Sequence, residues 1–399
     1  MRKAGTHWIH GLVKTALVSI IFIAGATLAL SASNTAALSL TETPADALAT
    51  GSSAANGNLL QNGELNGDYY WKYPNHFVAP GWSRWWVDGS AVPEYYYEDN
   101  KCVDDGTNRC RSQRLQRRPE TYEAGIYQVV TVTTPCVPYR LTAWSRSEGV
   151  NSMIPHVRIG LDPAGTMLVP EGPGSGAMDN PPSPYTAWSA EQVHTFIWEE
   201  QTVTAEAAGY HVTAIFYAHP TKAGPLVWDD YYDVFWDAAS LVEASFPDDR
   251  LPAPTSWQPT GFVTNVTYTL NGTDLTIQWE TLQPASTQVW YTIWDAGTPI
   301  SETQSYSYTV YFPLISRFEP PTAYMTALDV TPTTTHQATI PNVQSGQRLF
   351  FTALSRRPGD GVCVTETSPV YDITIGSATS MTLTLDRAAD IFSGSIMRR

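Results

Sequence analysis

Residues 126–132, IYQVVTV, and 139–146, YRLTAWSR, alternate apolar and polar side chains on either side of TTPCVP. Successive side chains of a strand point to opposite faces, so this alternation reads as two half-buried strands. Outward from this pair the pattern recurs in HVRIGL (156–161), TFIWEEQTV (195–203) and YHVTAIFYA (210–218). It returns in VTYTL (266–270), LTIQW (275–279), QVWYTIW (288–294), HQATI (336–340) and RLFFTALSR (348–356). Gly, Pro, Asn and Asp punctuate the runs, and past residue 37 no window keeps helical spacing for more than a turn or two. The expected fold class is all-β, with two sandwiches in series.

The 399 residues leave room for two domains of ordinary size. At the N-terminus, Arg2, Lys3 and Lys14 supply positive charge, and Ala16–Leu30 is an apolar or small run. Small residues follow at Ser31, Ala32, Ser33, Ala36 and Ala37, the layout of a secretory signal over 1–37. The rival is an uncut anchor, because the run is almost long enough to span a bilayer. Either way the remainder is expected outside the membrane, secreted or on the cell surface. Residues 38–57 read as a flexible lead-in, 58–245 as the first sandwich and 246–261 as a Pro-rich linker. Residues 262–376 read as the second sandwich, and the tail 377–399 is unassigned.

Lys and Arg total 23 against 38 acids, a net charge of −15, which argues against nucleic acid. The four cysteines suit an oxidising compartment. Cys102 and Cys110 close the short polar loop CVDDGTNRC, where a local disulfide is plausible. Cys136 and Cys363 stand alone, in different domains, and read as buried free thiols.

Three stretches of the first block resemble a secreted bacterial carbohydrate-binding jelly roll of the galactose-binding-like kind, as in filamentous green bacteria. NLLQNGELNG (58–67), with Pro80-Gly81-Trp82 further on, is similar to the family's first strand. AGIYQVVTV…YRLTAWSRS is similar to its middle strands, and YDVFWDAASLVEA (232–244) to its last. The resemblance implies glycan as the partner. It also implies a structural calcium, for which Glu64, Asn66 and Asp237 are the candidates. Leu65 and Asn66 depart from the pattern of the first strand, and Ala238 replaces an acid of the last. Asp237 hydrogen-bonded inside the sandwich is the alternative. The second block resembles a fibronectin type III or immunoglobulin-like sandwich, near the N-terminal domain of purple acid phosphatases. TQVWYTIW and THQATIPNVQSGQRLFFTALSR carry that resemblance.

Alternation also nominates a site. Tyr139, Leu141 and Ala143 point one way, as do Val157, Ile159 and Leu161, and Val212, Ala214, Phe216 and Ala218. The opposite positions carry Trp144, Arg146, His156, Arg158, Tyr217 and His219, expected on one sheet face. A pyranose offers a CH face to tryptophan and hydroxyls to Arg and His, so this composition suits sugar. A solvated face with cation–π contacts is the alternative.

In GWSRWW (81–86), Trp82 is expected in the core, and one of Trp85 and Trp86 faces out as a platform. EYYYED (94–99) and LVWDDYYD (226–233), with Trp228 and Asp229, would form an acidic aromatic rim if they met. HExxH and GxSxG are absent, no phosphate loop occurs, and no histidines have metal-ligand spacing. The expectation is a non-catalytic glycan-binding module with a fibronectin-like spacer. The alternative is a structural or adhesive surface protein contacting protein partners. YTVYFPLISR (308–317) is similar to a segment near the ends of exported proteins and reads most plainly as a strand.

Overall fold

Residues that alternate in sequence form strands almost throughout. The computed structural model describes residues 57–73, 76–87, 89–103, 110–150, 153–166, 177–178, 183–193, 196–294, 324–376 and 380–384. The expected signal, most of the lead-in and the segment 308–317 lie outside the described residues. All described residues belong to one compact unit, and none is α-helical.

The first sandwich runs β1 (Tyr70–Tyr73), β2 (His76–Val78), β3 (Ser83–Val87), β4 (Glu94–Glu98), β5 (Ser112–Arg117), β6 (Ala124–Thr131), β7 (Pro138–Gly149) and β8 (Met153–Ile154). It continues with β9 (Val157–Asp162), β10 (Ala177–Met178), β11 (Ala187–Trp188), β12 (Glu199–Glu206), β13 (His211–Ala218), β14 (Thr221–Lys222) and β15 (Tyr232–Glu243). Seven strands form one sheet in the order β1-β2-β4-β5-β15-β7-β12, and six form the other, β10-β3-β6-β13-β9-β11. Between them lies the core that alternation predicted: every inward residue named above for β7, β9 and β13 belongs to one buried cluster. Trp82, Phe216 and Trp236 stack through its middle, with ring centroids 4.7 and 5.7 Å apart.

The turn between β6 and β7 organises the site. Cys136 adopts φ 58°, the left-handed region that residues other than glycine seldom enter. The chain there leaves the six-stranded sheet and enters the seven-stranded one, so the two strands are not a hairpin.

The second, immunoglobulin-like sandwich comprises β16 (Val263–Asn271), β17 (Asp274–Trp294), β18 (Tyr324–Met325), β19 (Asp329–Ile340), β20 (Arg348–Pro358), β21 (Cys363–Thr367), β22 (Tyr371–Thr374) and β23 (Ser380–Thr384). LTIQW and QVWYTIW are one strand, β17. Its first half pairs with β16 and β19, and its second with β18 and β20. The register breaks between Glu280 and Thr287, around Pro284, which has no N–H to give the ladder. The unassigned tail supplies β23, which pairs with β16.

The two sandwiches are joined by more than the linker. Cys136 and Cys363 form a disulfide, Cα–Cα 5.6 Å, which corrects their reading as free thiols. Their wide separation in sequence hid that β21 packs beside the β6–β7 turn. Cys102–Cys110 is also a disulfide, as expected. Arg356 Nε donates to Glu206 at 2.7 Å. In the linker, Phe246 and Leu251 are buried, and the Leu251 N–H reaches Gln288 Oε1 at 3.0 Å. Trp290 and Leu354 of the second sandwich complete the core cluster of the first.

Candidate functional site

The six residues expected on one sheet face fall on two. Trp144 and Arg146 lie on β7 of the seven-stranded sheet, while Arg158 on β9 and Tyr217 on β13 belong to the six-stranded sheet, with His156 and His219 just beyond those strands. Alternation states which way a side chain points within its own sheet. It is silent about which sheet that is, and the crossing at Cys136 separates the set.

On the outer face of the six-stranded sheet, Arg158 Cζ sits 4.1 Å from the Trp188 ring and 4.4 Å from the Tyr217 ring. Trp188 can lie flat there because Gly160, its partner across β9 and β11, has no side chain: a Cβ would come within 2.6 Å of the indole. Tyr217 donates its hydroxyl to Glu123 Oε1 at 2.8 Å, and burial with that carboxylate raises its pKa. Tyr217, Trp85, Tyr127 and Ile215 form a small buried cluster of their own. His156 bonds Glu191 Oε1 at 2.7 Å and Thr221 Oγ1 at 2.9 Å, tying two loops to β14. This face is a partly covered stack: Trp85 is buried beneath Tyr217, Arg158 and Trp188 are half-buried, and Trp85 Nε1 and Arg158 Nε are buried without a hydrogen-bond partner among the described residues.

Trp85 is fully buried and Trp86 is 7% exposed, so neither is a platform. The argument that only one could face inward holds: Trp86 enters the main core, and Trp85 points to the outer face. The error lies in equating outward with exposed, because Tyr217 and its neighbours cover that face.

The outer face of the seven-stranded sheet is different. Register sets Asp233, Phe235 and Asp237 of β15 opposite Glu148, Arg146 and Trp144 of β7. On the other flank of β15, Arg114 and Gln116 of β5 follow, then Glu94, Tyr96 and Glu98 of β4. Arg114 donates to Asp233 Oδ2 at 2.7 Å, to Gln116 at 2.5 Å and to Glu98 at 3.4 Å. Gln116 and Tyr96 both donate to Glu94, at 3.2 and 3.1 Å. Lys101 and Arg146 donate to Glu148 at 2.6 and 2.7 Å. Phe235 is fully buried although it points outward, because Lys101 Nζ lies 4.8 Å from its ring and Arg114 Cζ 5.7 Å.

Lys101 reaches this face from the loop closed by Cys102–Cys110, which the Val103 N–H pins to Asp237 Oδ2 at 2.7 Å. Burial raises the Asp233 carboxyl above the usual range, against the pull of Arg114. Burial also pushes Glu148 up, but its bonds from Lys101 and Arg146 outweigh that, and its pKa is lowered. Trp144 is half-buried at the edge of this network.

EYYYED and LVWDDYYD do not pair directly. β5 lies between them, and Arg114 bridges Glu98 to Asp233. Trp228 stands apart at the tip of the loop before β15, 85% exposed, beside exposed Asp229. Its turn is held by Asp230, whose Oδ2 accepts the Val227 N–H at 2.7 Å and Lys222 Nζ at 2.6 Å.

The calcium candidates do not fit a cation site. Calcium needs about six to eight oxygens free of competing donors. Asp237 Oδ1 and Oδ2 accept the N–H groups of Ala238 and Val103, Asn66 Oδ1 accepts that of Arg111 at 2.7 Å, and Glu64 is exposed. Nearby Cys102 and Cys110 are joined as a disulfide and offer no thiolate. Asp237 is a carboxylate bonded inside the fold, the alternative set out above.

The sequence reading missed Lys101, Arg114, Gln116 and Glu148, and named Asp233 only as the end of the acidic segment LVWDDYYD. The signal was present in SQRLQR, where Arg114 and Gln116 flank buried Leu115, but strand order alone places β5 beside β15.

No protein-family model matches the chain, and no curated protein matches it. Solved structures do match. The enzymatically active domain of bacteriophage CBA120 tailspike protein 4 is 10% identical, with a TM-score of 0.26, over 41% of this chain and 20% of that one. The chain thus spans about a fifth of that tailspike domain. TmCBM61, solved with beta-1,4-galactotriose, is 14% identical, TM-score 0.26, over 47% of this chain and 99% of that one. The adhesin domain of Epf from Streptococcus pyogenes is 8% identical, TM-score 0.33, over 78% and 96%. At such scores a likeness carries no argument, and the site is read from its residues alone.

Proposed function

We propose that this is an exported, non-catalytic glycan-binding protein, whose ligand lies on the outer face of the seven-stranded sheet, with the second sandwich as a fibronectin-like spacer. One observation carries the reading: half-buried Trp144 adjoins a pre-formed network of charged and amide side chains on a single sheet face. An aromatic face beside fixed polar groups suits a pyranose, which has an apolar face and a rim of hydroxyls. Because the network is bonded before ligand arrives, little ordering cost remains on binding. Export is supported by the charged, then apolar, then small-residue layout of 1–37 and by two disulfides.

A glycan array with the full chain beside Trp144→Ala and Arg146→Ala tests this. Binding that drops in both variants supports the face. No binding to any glycan by a chain shown to be folded sinks the reading.

A second reading has its own observation. Trp228 and its neighbours Leu226 and Val227 are exposed on a turn braced by Asp230. An apolar tip held this firmly suits contact with a protein partner, as in an adhesive surface protein.

A further inference from the structure

The outward row of β7 does not stop at Trp144. It continues through Thr142 to exposed Arg140, and register sets Thr202 and Thr204 of β12 beside these two. Ser240 of β15 lies opposite Thr142 on the other flank. Arg140 and Thr204 are also walls of a groove of about 850 Å³ between the first sandwich and the linker, where Phe246, Asp248 and Arg250 form the far side. The face and the groove are therefore two ends of one track along β7. From Glu148 to Arg140 it measures about 26 Å at the usual rise of a strand, far longer than one sugar ring.

Its chemistry changes along its length. At the Glu148 end every named charge has an opposite partner: Lys101 and Arg146 on Glu148, Arg114 on Asp233 and Glu98. Beyond Trp144, which has exposed Glu200 of β12 beside it, come the hydroxyls of Thr142, Thr202, Thr204 and Ser240, which both donate and accept, and the row ends on the cation of Arg140, so the exposed charges are one of each sign. Paired charges and hydroxyls suit a ligand that is itself uncharged and hydroxylated. The chain's net charge of −15 further disfavours a polyanion.

We infer that the ligand is an extended neutral polysaccharide lying along β7, with one end in the groove between the first sandwich and the linker. This rests on the glycan reading above. It makes Arg140 a contact for remote sugar units and gives the packed linker a part in binding.

The test is calorimetric titration of the full chain with β-glucan, galactan, xylan and mannan, with their di- and hexasaccharides, and with polygalacturonate. The expected result is affinity at least about tenfold higher for a hexasaccharide than for its disaccharide, with polygalacturonate unbound. Arg140→Ala should weaken the hexasaccharide about tenfold and leave the disaccharide unchanged, while Trp144→Ala weakens both. Arg140 is exposed, and a thermal melt confirms that the variant is folded. A disaccharide bound as tightly as the polymer, polygalacturonate bound in preference, or a silent Arg140→Ala beside a weakened Trp144→Ala would overturn the track and leave the glycan site standing. No binding of any probe by the folded chain would overturn both.

Discussion

Both outer faces of the jelly roll pair arginine with tryptophan, each half-buried, and they hold the arginine in different ways. On the six-stranded sheet, Arg158 is held between Trp188 and Tyr217, Tyr217 is bonded to Glu123, and Trp85 is sealed beneath. On the seven-stranded sheet, Arg114 and Arg146 bond carboxylates, Arg114 also lies 5.7 Å from the Phe235 ring, and Trp144 is half-buried. Arginine stacked between rings spends its faces on the fold. Arginine bonded to carboxylates is tied instead into a network of charges at the surface of the sheet. The same residue types therefore make a second small core on one side and a candidate binding surface on the other.

The sharpest way to break this contrast is Trp85→Ala. If the six-stranded face is structural, the variant loses about 3–5 kcal/mol of stability in denaturant unfolding. The chain that remains folded still binds any ligand of the other face. A variant that melts normally but no longer binds would reverse the assignment.

Next is acid. Burial lowers His76, beside Arg84, and His336 from 6.5 to about 4. A folded pKa below the unfolded one means that the unfolded chain takes up protons first. The stabilisation is complete above about pH 6.5 and is lost as pH falls to about 4. The loss is about 3 kcal/mol for each histidine. Thermal melts across that window should show it. Neither histidine is part of the networks on the two faces, so binding measured at about pH 6, with the fold intact, reports on the seven-stranded face.

Replacing both Cys136 and Cys363 with serine should cost about 2–5 kcal/mol, seen as a lower melting temperature. Sugar binding near Trp144 should persist, since the disulfide lies at the opposite end of β7 from Glu148. Trp144→Ala should weaken sugar binding by about 2 kcal/mol, roughly thirtyfold, with a small change in melting. Smallest of all, Trp228→Ala should shift stability by less than about 0.5 kcal/mol. If it also abolished glycan binding, the ligand would belong to the loop tip and the two faces would be equally structural.

The sequence was most legible where one strand could be read by itself. Tyr139, Leu141 and Ala143, or Val212, Ala214 and Phe216, turn inward as alternation requires, because the period of a strand is a local property. Cys102 is bonded to Cys110, since that pairing closes one short loop, and Trp82 is in the core, as the family resemblance implied. Legibility failed across strands. Arg146 and Arg158 look equivalent in sequence and sit on opposite sheets. Lys101 and Glu148, and Arg114 and Asp233, meet only through pairings that no local pattern encodes.

By itself, then, the chain's pattern determined that it is all-β and which side chains of a strand face inward. Strand periodicity acts residue by residue, so it survives without knowledge of neighbours. Tertiary structure alone decided that Trp85 is covered, that Cys136 meets Cys363, and that Trp144 stands beside a network drawn from four separate segments. Those facts depend on which strands lie side by side and on what packs over them, and both are settled by burial across the whole unit.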